Sequence, residues 1–209
     1  MIVINMTRNF LTAFAAAGFA FAVVADSQTF DFKDPKGVNN AVFKLDAPLE
    51  AINGSASGIS GQVHFDPAKP EATHGKIVVT SSSLQVPNPM MQQHMHGEMW
   101  LDVAKHPEIS FESKELKNAK SNGDVTTGDL VGTFTLKGVS RDLTIPVKLT
   151  YLKDKLGQRV PNQKGDLLVI RSSFEIKRKD FEVNAGQAED KVSDSIQLTL
   201  SIAGASPKA

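Results

Sequence analysis

Period-two alternation is the dominant signal in this chain. Over residues 142–151, Leu143, Ile145, Val147, Leu149 and Tyr151 share one parity, and Asp142, Thr144, Pro146, Lys148 and Thr150 the other. A strand with one buried face reads this way. Pro146 lies on the polar parity and has no N–H to donate, so it predicts an edge, a bulge or an unpaired position. The run over residues 193–202 repeats the pattern, with Ile196, Leu198, Leu200 and Ile202 against Gln197, Thr199 and Ser201. Shorter extended runs occupy residues 29–32, 41–45, 61–65, 75–83, 109–112, 130–136 and 167–176. Turn chemistry separates them: Asp34-Pro35-Lys36-Gly37, Asp66-Pro67-Ala68-Lys69-Pro70, Asn122-Gly123-Asp124 and Lys137-Gly138. Residues 48–61, interrupted by Gly54, Gly58 and Gly61, read as a loop or mobile rim, and residues 153–165 as a polar connection. Many strands with no long amphipathic helix predict an all-β, antiparallel barrel or sandwich. A barrel of about eight strands has no free edges and encloses room for one ligand.

Residues 84–113 depart from that pattern. Asn88 followed by Pro89 is a helix start, because the Asn side chain accepts from an orphan amide and proline fits the first turn. Gly97 is a stop, which gives a short helix near residues 88–97. It carries Met90, Met91, His94, Met95 and His96, with Met99 just beyond. At helical spacing Met91 stacks on Met95 and Met90 on His94. Two chemistries fit. Thioether and imidazole bind Cu(I), so Met90, Met91, His94, Met95, His96 and Met99 form a metal-ligand set for a copper-handling protein. Methionine is equally the adaptable filler of apolar linings, which would place Met91, His94 and Met95 in the wall of a ligand pocket. The other histidines suit solvated or locally bonded positions: His64 on the polar parity of its strand, His74 in a turn, His106 before Pro107.

Composition narrows the function. Arg8, the apolar stretch 10–22 and the small residues Val23-Val24-Ala25 before Asp26 predict a signal peptide over residues 1–25. One exported domain over residues 26–209, with a periplasmic address and no further membrane span, is the expectation. Cysteine is absent, which removes disulfides, thiolate metal sites and a cysteine nucleophile together. The 23 basic and 23 acidic side chains form no basic stripe, so nucleic acid finds no electrostatic footprint. There is no nucleophile elbow, zinc-binding His-Glu helix, P-loop or dinucleotide fingerprint, and nothing points to an enzyme.

Four stretches together resemble the YceI-like family. They are Gly61-Gln62-Val63-His64-Phe65-Asp66-Pro67 with residues 78–84, the run from Trp100-Leu101-Asp102 to Phe111-Glu112-Ser113, the run Gly128-Asp129-Leu130 to Leu136-Lys137-Gly138-Val139-Ser140-Arg141, and Ile176-Lys177-Arg178-Lys179-Asp180-Phe181. The likeness spans roughly residues 30–203, and the segment around Leu136-Lys137-Gly138-Val139-Ser140-Arg141 is its most specific part. It implies a periplasmic, lipocalin-like antiparallel β-barrel that carries a long amphiphile in its lumen: a polyisoprenoid, an isoprenoid quinone or a fatty acyl chain. The sequence departs from the family where Met91 and Gln92 replace an Arg-Asp pair, and where Glu182 replaces a glycine.

Alternation then nominates Phe43, Phe65, Met91, His94, Met95, Trp100, Phe111, Phe134 and Phe174 as lumen lining. Arg141 and Arg178, inside family signatures beside Asp142 and Asp180, are head-group candidates through the planar donor fork of guanidinium, or else members of structural ion pairs. No cofactor is required. The expected partner is an amphiphilic small molecule, with Cu(I) as the alternative and a homodimer left open as the assembly.

Overall fold

A computed structural model describes residues 27–208; the segment read as a signal peptide lies outside the described residues. Eleven strands form one antiparallel sheet: β1 (Gln28–Asp31), β2 (Asn40–Asp46), β3 (Ala51–Ala56), β4 (Ile59–Phe65), β5 (His74–Thr80), β6 (Leu84–Gln85), β7 (Glu108–Asn122), β8 (Val125–Leu136), β9 (Val139–Leu152), β10 (Gly165–Lys177) and β11 (Ser195–Pro207). Six of them are halves of broken ribbons. β1 and β2 both run along β11, at Asp31↔Ala205 and from Gln197↔Lys44 to Ser201↔Asn40. β4 and β3 flank these halves in turn, and β5 and β6 flank β4 and β3. With each broken ribbon counted once, the chain is a closed barrel of eight antiparallel staves in sequence order.

Closure depends on a side chain. Between β1 and β2 the backbone leaves the ladder, and Asn39, 2% exposed, fills the gap. Its amide nitrogen donates to the carbonyls of Phe32 and Ala203, and its oxygen accepts from the Ala203 N–H and the Arg159 guanidinium. The amide thus replaces a missing stretch of backbone partner, as buried polar groups demand.

The two ends of the barrel differ. At one end the staves close around a core that includes Phe30, Phe32, Phe65, Leu116, Leu149 and Leu168, with the break between β1 and β2 sealed by Asn39. Burying a side chain of this size contributes about 1.5–3 kcal/mol. At the other end the wall parts in two places. β9 and β10 pair only from Leu152↔Leu167 to Val147↔Ser172, and the separation begins at Pro146, whose carbonyl accepts instead from the Ser172 hydroxyl at 2.7 Å. β6 pairs with β3 but not with β7. The second gap takes residues 86–107 with helix α1 (Pro89–His96), and a 3-10 turn, Arg178–Phe181, packs at the first. Both bring apolar side chains to a second core with Phe43, Leu84, Leu101, Phe134, Ile176 and Phe181. No helix among the described residues is long and apolar enough to cross a membrane.

One expectation changes here. Residues 48–61, read as a loop, build β3 and the start of β4. Gly54 lies opposite Phe43 in the ladder, and any β-carbon at Gly54 would collide with the Phe43 ring. The glycine that reads as a strand breaker is therefore the space the aromatic ring occupies. The polar stretch 118–128 is the tip of a long hairpin, as its Asn122-Gly123-Asp124 turn signal predicts, since β7 and β8 pair out to Asn122↔Val125. The Lys137-Gly138 signal is confirmed: both residues have positive φ, 50° and 77°, as a tight two-residue hairpin turn requires.

Candidate ligand-binding site

The strand faces leave a lumen of about 500 Å³, within the roughly 300–1,000 Å³ of pockets that enclose drug-sized ligands. Its depth is set by Val63, Ile145, Val147, Leu149 and Ile170, and its middle by Phe111, Phe134 and Phe174. Few polar side chains reach the wall, and several of those have their hydroxyls committed. Ser113 donates to the Gly75 carbonyl, Ser172 to Pro146 and Thr73 to Pro70. A ligand meets hydrocarbon and aromatic surface for most of its length, the setting in which burial does the binding. At the mouth stand Glu50, Asn88, Met90, His94 and Lys191.

Helix α1 forms one side of that mouth. Asn88 caps it, its side-chain oxygen accepting from the N–H groups of Met90 and Met91 at 2.9 and 3.1 Å. After Gly97 a series of turns folds back on the helix: the Leu101 N–H donates to the Met95 carbonyl and the Val103 N–H to that of His96. These bonds press Trp100 and Leu101 against the lumen. Lys137, at the β8–β9 turn, donates to the carbonyls of Met99 and Glu182 and so ties both wall fillers to one hairpin.

Most of the nominated lining residues meet in this cavity: Phe43, Met91, His94, Met95, Trp100, Phe111, Phe134 and Phe174 all face it. Phe65 does not. It is 1% exposed in the closed-end core, with its ring 6.1 Å from that of Tyr151, and parity alone could not tell a lumen position from a packed end. The branched residues Ile77, Ile145, Val147 and Ile170 also line the cavity, and the same alternation that nominated the aromatics carried their signal. Glu50 and Lys191 came from segments with no periodic pattern, so nothing in the sequence marked them.

The head-group candidates resolve differently. Arg141 is exposed on the stretch of β9 that has parted from β10 and, although it lies opposite Phe134 in the ladder, it is not part of the lumen wall. It donates to the Ser140 carbonyl, while its neighbour Asp142 takes the Thr133 hydroxyl and lies 3.6 Å from Lys114. Arg178 borders the lumen but is 1% exposed. Its Nε donates to Ser193, Nη1 to Val183 and Asn184, and Nη2 to Gln187 and Val192, all backbone carbonyls. That commits the five donors of the guanidinium. Burial pulls its pKa down from the ordinary arginine value, against the opposing pull of Asp194 and Glu189. Its guanidinium carbon lies 5.3 Å from the centre of the Trp100 ring, a cation–π contact that joins the two wall fillers. Arg178 therefore organises the connection from β10 to β11 and keeps no donor free for a head group, whereas Arg141 stands outside the lumen wall.

The sulfur and imidazole set divides as well. Met90, Met91, His94 and Met95 line the mouth, whereas the His96 ring bonds the Leu84 carbonyl through Nε2 at 2.8 Å and Met99 is 69% exposed. The six proposed ligands do not share one site. Among the described residues no group of three or more His, Asp or Glu side chains is placed to hold a metal ion.

A closed antiparallel barrel with an apolar lumen, an open mouth and a helix beside it is a lipocalin-like barrel. The chain belongs to the YceI-like domain family, whose model matches residues 20–203. It is 28% identical over 204 residues to a UPF0312 protein of Pseudomonas paraeruginosa, covering 95% of this chain and 98% of that one. Among solved structures it is similar to BcnA of Burkholderia cenocepacia, with 22% identity and a TM-score of 0.61 over 79% of this chain and 94% of that one. It is also similar to a polyisoprenoid binding domain from Saccharophagus degradans, with 12% identity and a TM-score of 0.62 over 87% of this chain and all of that one.

Proposed function

We propose that this protein is an exported carrier that holds a long isoprenoid or fatty-acyl amphiphile in the barrel, its chain along the lumen and its polar end at the mouth. The observation that carries this reading is the wall itself: a cavity of about 500 Å³ faced by Leu, Ile, Val, Phe and Met, with polar side chains gathered mainly at the rim. Such a surface rewards burial of an extended hydrocarbon at about 25 cal/mol per Å² and gives a small polar metabolite few partners. The family membership and the polyisoprenoid-binding structural neighbour support the same class of ligand. Binding, not catalysis, is the activity, and the periplasm is the proposed address. Native mass spectrometry of protein purified from cells is expected to show a retained lipid. Trp100, the one tryptophan of the chain, lines the lumen, so added brominated fatty acid is expected to quench its fluorescence saturably. A lumen that comes from cells empty and takes up no brominated lipid would overturn the reading.

A further inference from the structure

The described residues contain four methionines, and all of them lie in one ten-residue stretch: Met90, Met91, Met95 and Met99. Three of the four, Met90, Met91 and Met95, line the lumen. Met90 stands 67% exposed at the mouth, and Met91 and Met95 are half-buried against the second core. The rest of the apolar wall is mainly Leu, Ile, Val and Phe, which mild oxidants leave alone. The chain has no cysteine to intercept an oxidant first. The thioethers are thus the soft two-electron reductants of this site, and they sit where a bound hydrocarbon would touch them.

We propose that α1 is an oxidation-sensitive wall of the ligand site: a peroxide converts Met91 and Met95 to sulfoxides, and the lumen then loses its grip on an apolar ligand. This deepens the carrier reading and rests on it. In the chemical step a sulfur lone pair attacks one oxygen of hydrogen peroxide. The S–O bond forms as the O–O bond breaks, sulfur gives up two electrons, and the second oxygen leaves as water after proton transfer. The sulfoxide is strongly dipolar and must stay hydrated or find a donor. The apolar members of the wall around Met91 and Met95, including Leu84, Val86, Leu101 and Phe43, supply neither. Each new S=O therefore draws water to the mouth or turns its side chain out of the wall, and both remove surface that the ligand needs. Met90, nearer solvent, oxidises early but lies at the rim. Methionine sulfoxide reductases reverse the change, so the wall can be reset.

The test uses the whole exported chain and cis-parinaric acid, a fluorescent polyene fatty acid, as the probe. Its Kd is measured before and after graded hydrogen peroxide, while peptide mass spectrometry assigns each sulfoxide and circular dichroism checks that the barrel persists. The expected result is a Kd at least tenfold weaker, in step with sulfoxide at Met91 and Met95 and not with the earlier sulfoxide at Met90. Reductases of both stereospecificities should restore it. In the Met91→Leu/Met95→Leu variant, compared with its own unoxidised Kd, peroxide should change binding less than twofold. Three outcomes overturn the proposal: sulfoxides at Met91 and Met95 with Kd unchanged, both residues resistant while Met90 and Met99 oxidise, or the leucine variant losing binding as the parent does. Failure of the unoxidised protein to bind the probe instead overturns the carrier reading, and this inference with it.

Discussion

At the scale of single residues, two buried charges show how polar groups hold an apolar barrel together. Arg178 spends five donors on five carbonyls of the segment 183–193. Removing it leaves those carbonyls unpaired in the interior, each at a cost of roughly 1–3 kcal/mol before relaxation. Arg178→Met is therefore expected to lower the stability by about 3 kcal/mol or more in urea unfolding, and Arg178→Lys, with three donors, to recover only part of that. Asp166, with no exposed surface, anchors the closed end. Burial alone would raise its pKa, but the Asp154 N–H, Lys208, Tyr151 and Gln28 together outweigh burial and bring it down to about 2 from the ordinary 3.8. Burial, with the hydrogen bond to Asp166 adding to it, pushes the Tyr151 hydroxyl up in turn. A carboxyl whose folded pKa is depressed stabilises the fold fully above its unfolded pKa, and that stabilisation fades as pH falls toward the folded one. The difference between 3.8 and about 2 corresponds to about 2 kcal/mol, lost between about pH 4 and pH 2. Asp166→Asn is expected to flatten the pH dependence in that window, read as unfolding midpoint against pH.

At the scale of elements, the helix beside the mouth is the most individual part of the chain. Eight residues are too few for a stable isolated helix, so α1 depends on its cap and on the turns that fold back from Gly97. Asn88→Ala removes an acceptor shared by two amides and is expected to cost about 1 kcal/mol. Because that cost falls on the wall of the mouth, lipid dissociation should speed up by roughly fivefold, seen in stopped-flow exchange, along with faster amide exchange in α1. An unchanged off-rate would mean that ligand leaves by another route. The helix, its cap and its stop were legible in the sequence because Asn-Pro and Gly act locally. The partners of its side chains were not, since His96 bonds Leu84 twelve positions away and Trp100 meets Arg178 across the barrel.

At the scale of the molecule, the barrel has one end closed around a packed core and one end parted and filled by two inserted segments. The lumen belongs to the middle and to the parted end. Filling it should abolish ligand binding without unfolding the barrel, because the added volume goes into space already empty. Ile77 lines the cavity from β5, and Ile77→Trp is expected to weaken lipid binding at least about tenfold while the unfolding midpoint changes little. A variant that folds and still binds normally would place the ligand elsewhere.

Alternation and turn chemistry, both set by neighbours within a few positions, determined the all-β class, most of the strands, the hairpin turns and the short helix. They also placed most of the lumen's aromatic residues on the correct face. Tertiary structure alone decided what depends on distant partners. It turned the glycine-rich rim into a strand by laying Phe43 over Gly54, and it put Phe65 in the packed end rather than the lumen. It sealed a broken ribbon with the side chain of Asn39. It chose among the readings that Pro146 left open, an edge, a bulge or an unpaired position, by making it the point where β9 leaves β10. The two arginines carry the same lesson: identical groups in similar signatures, one exposed beyond the lumen wall and one saturated by carbonyls, because what a guanidinium does depends on which acceptors the fold brings within reach.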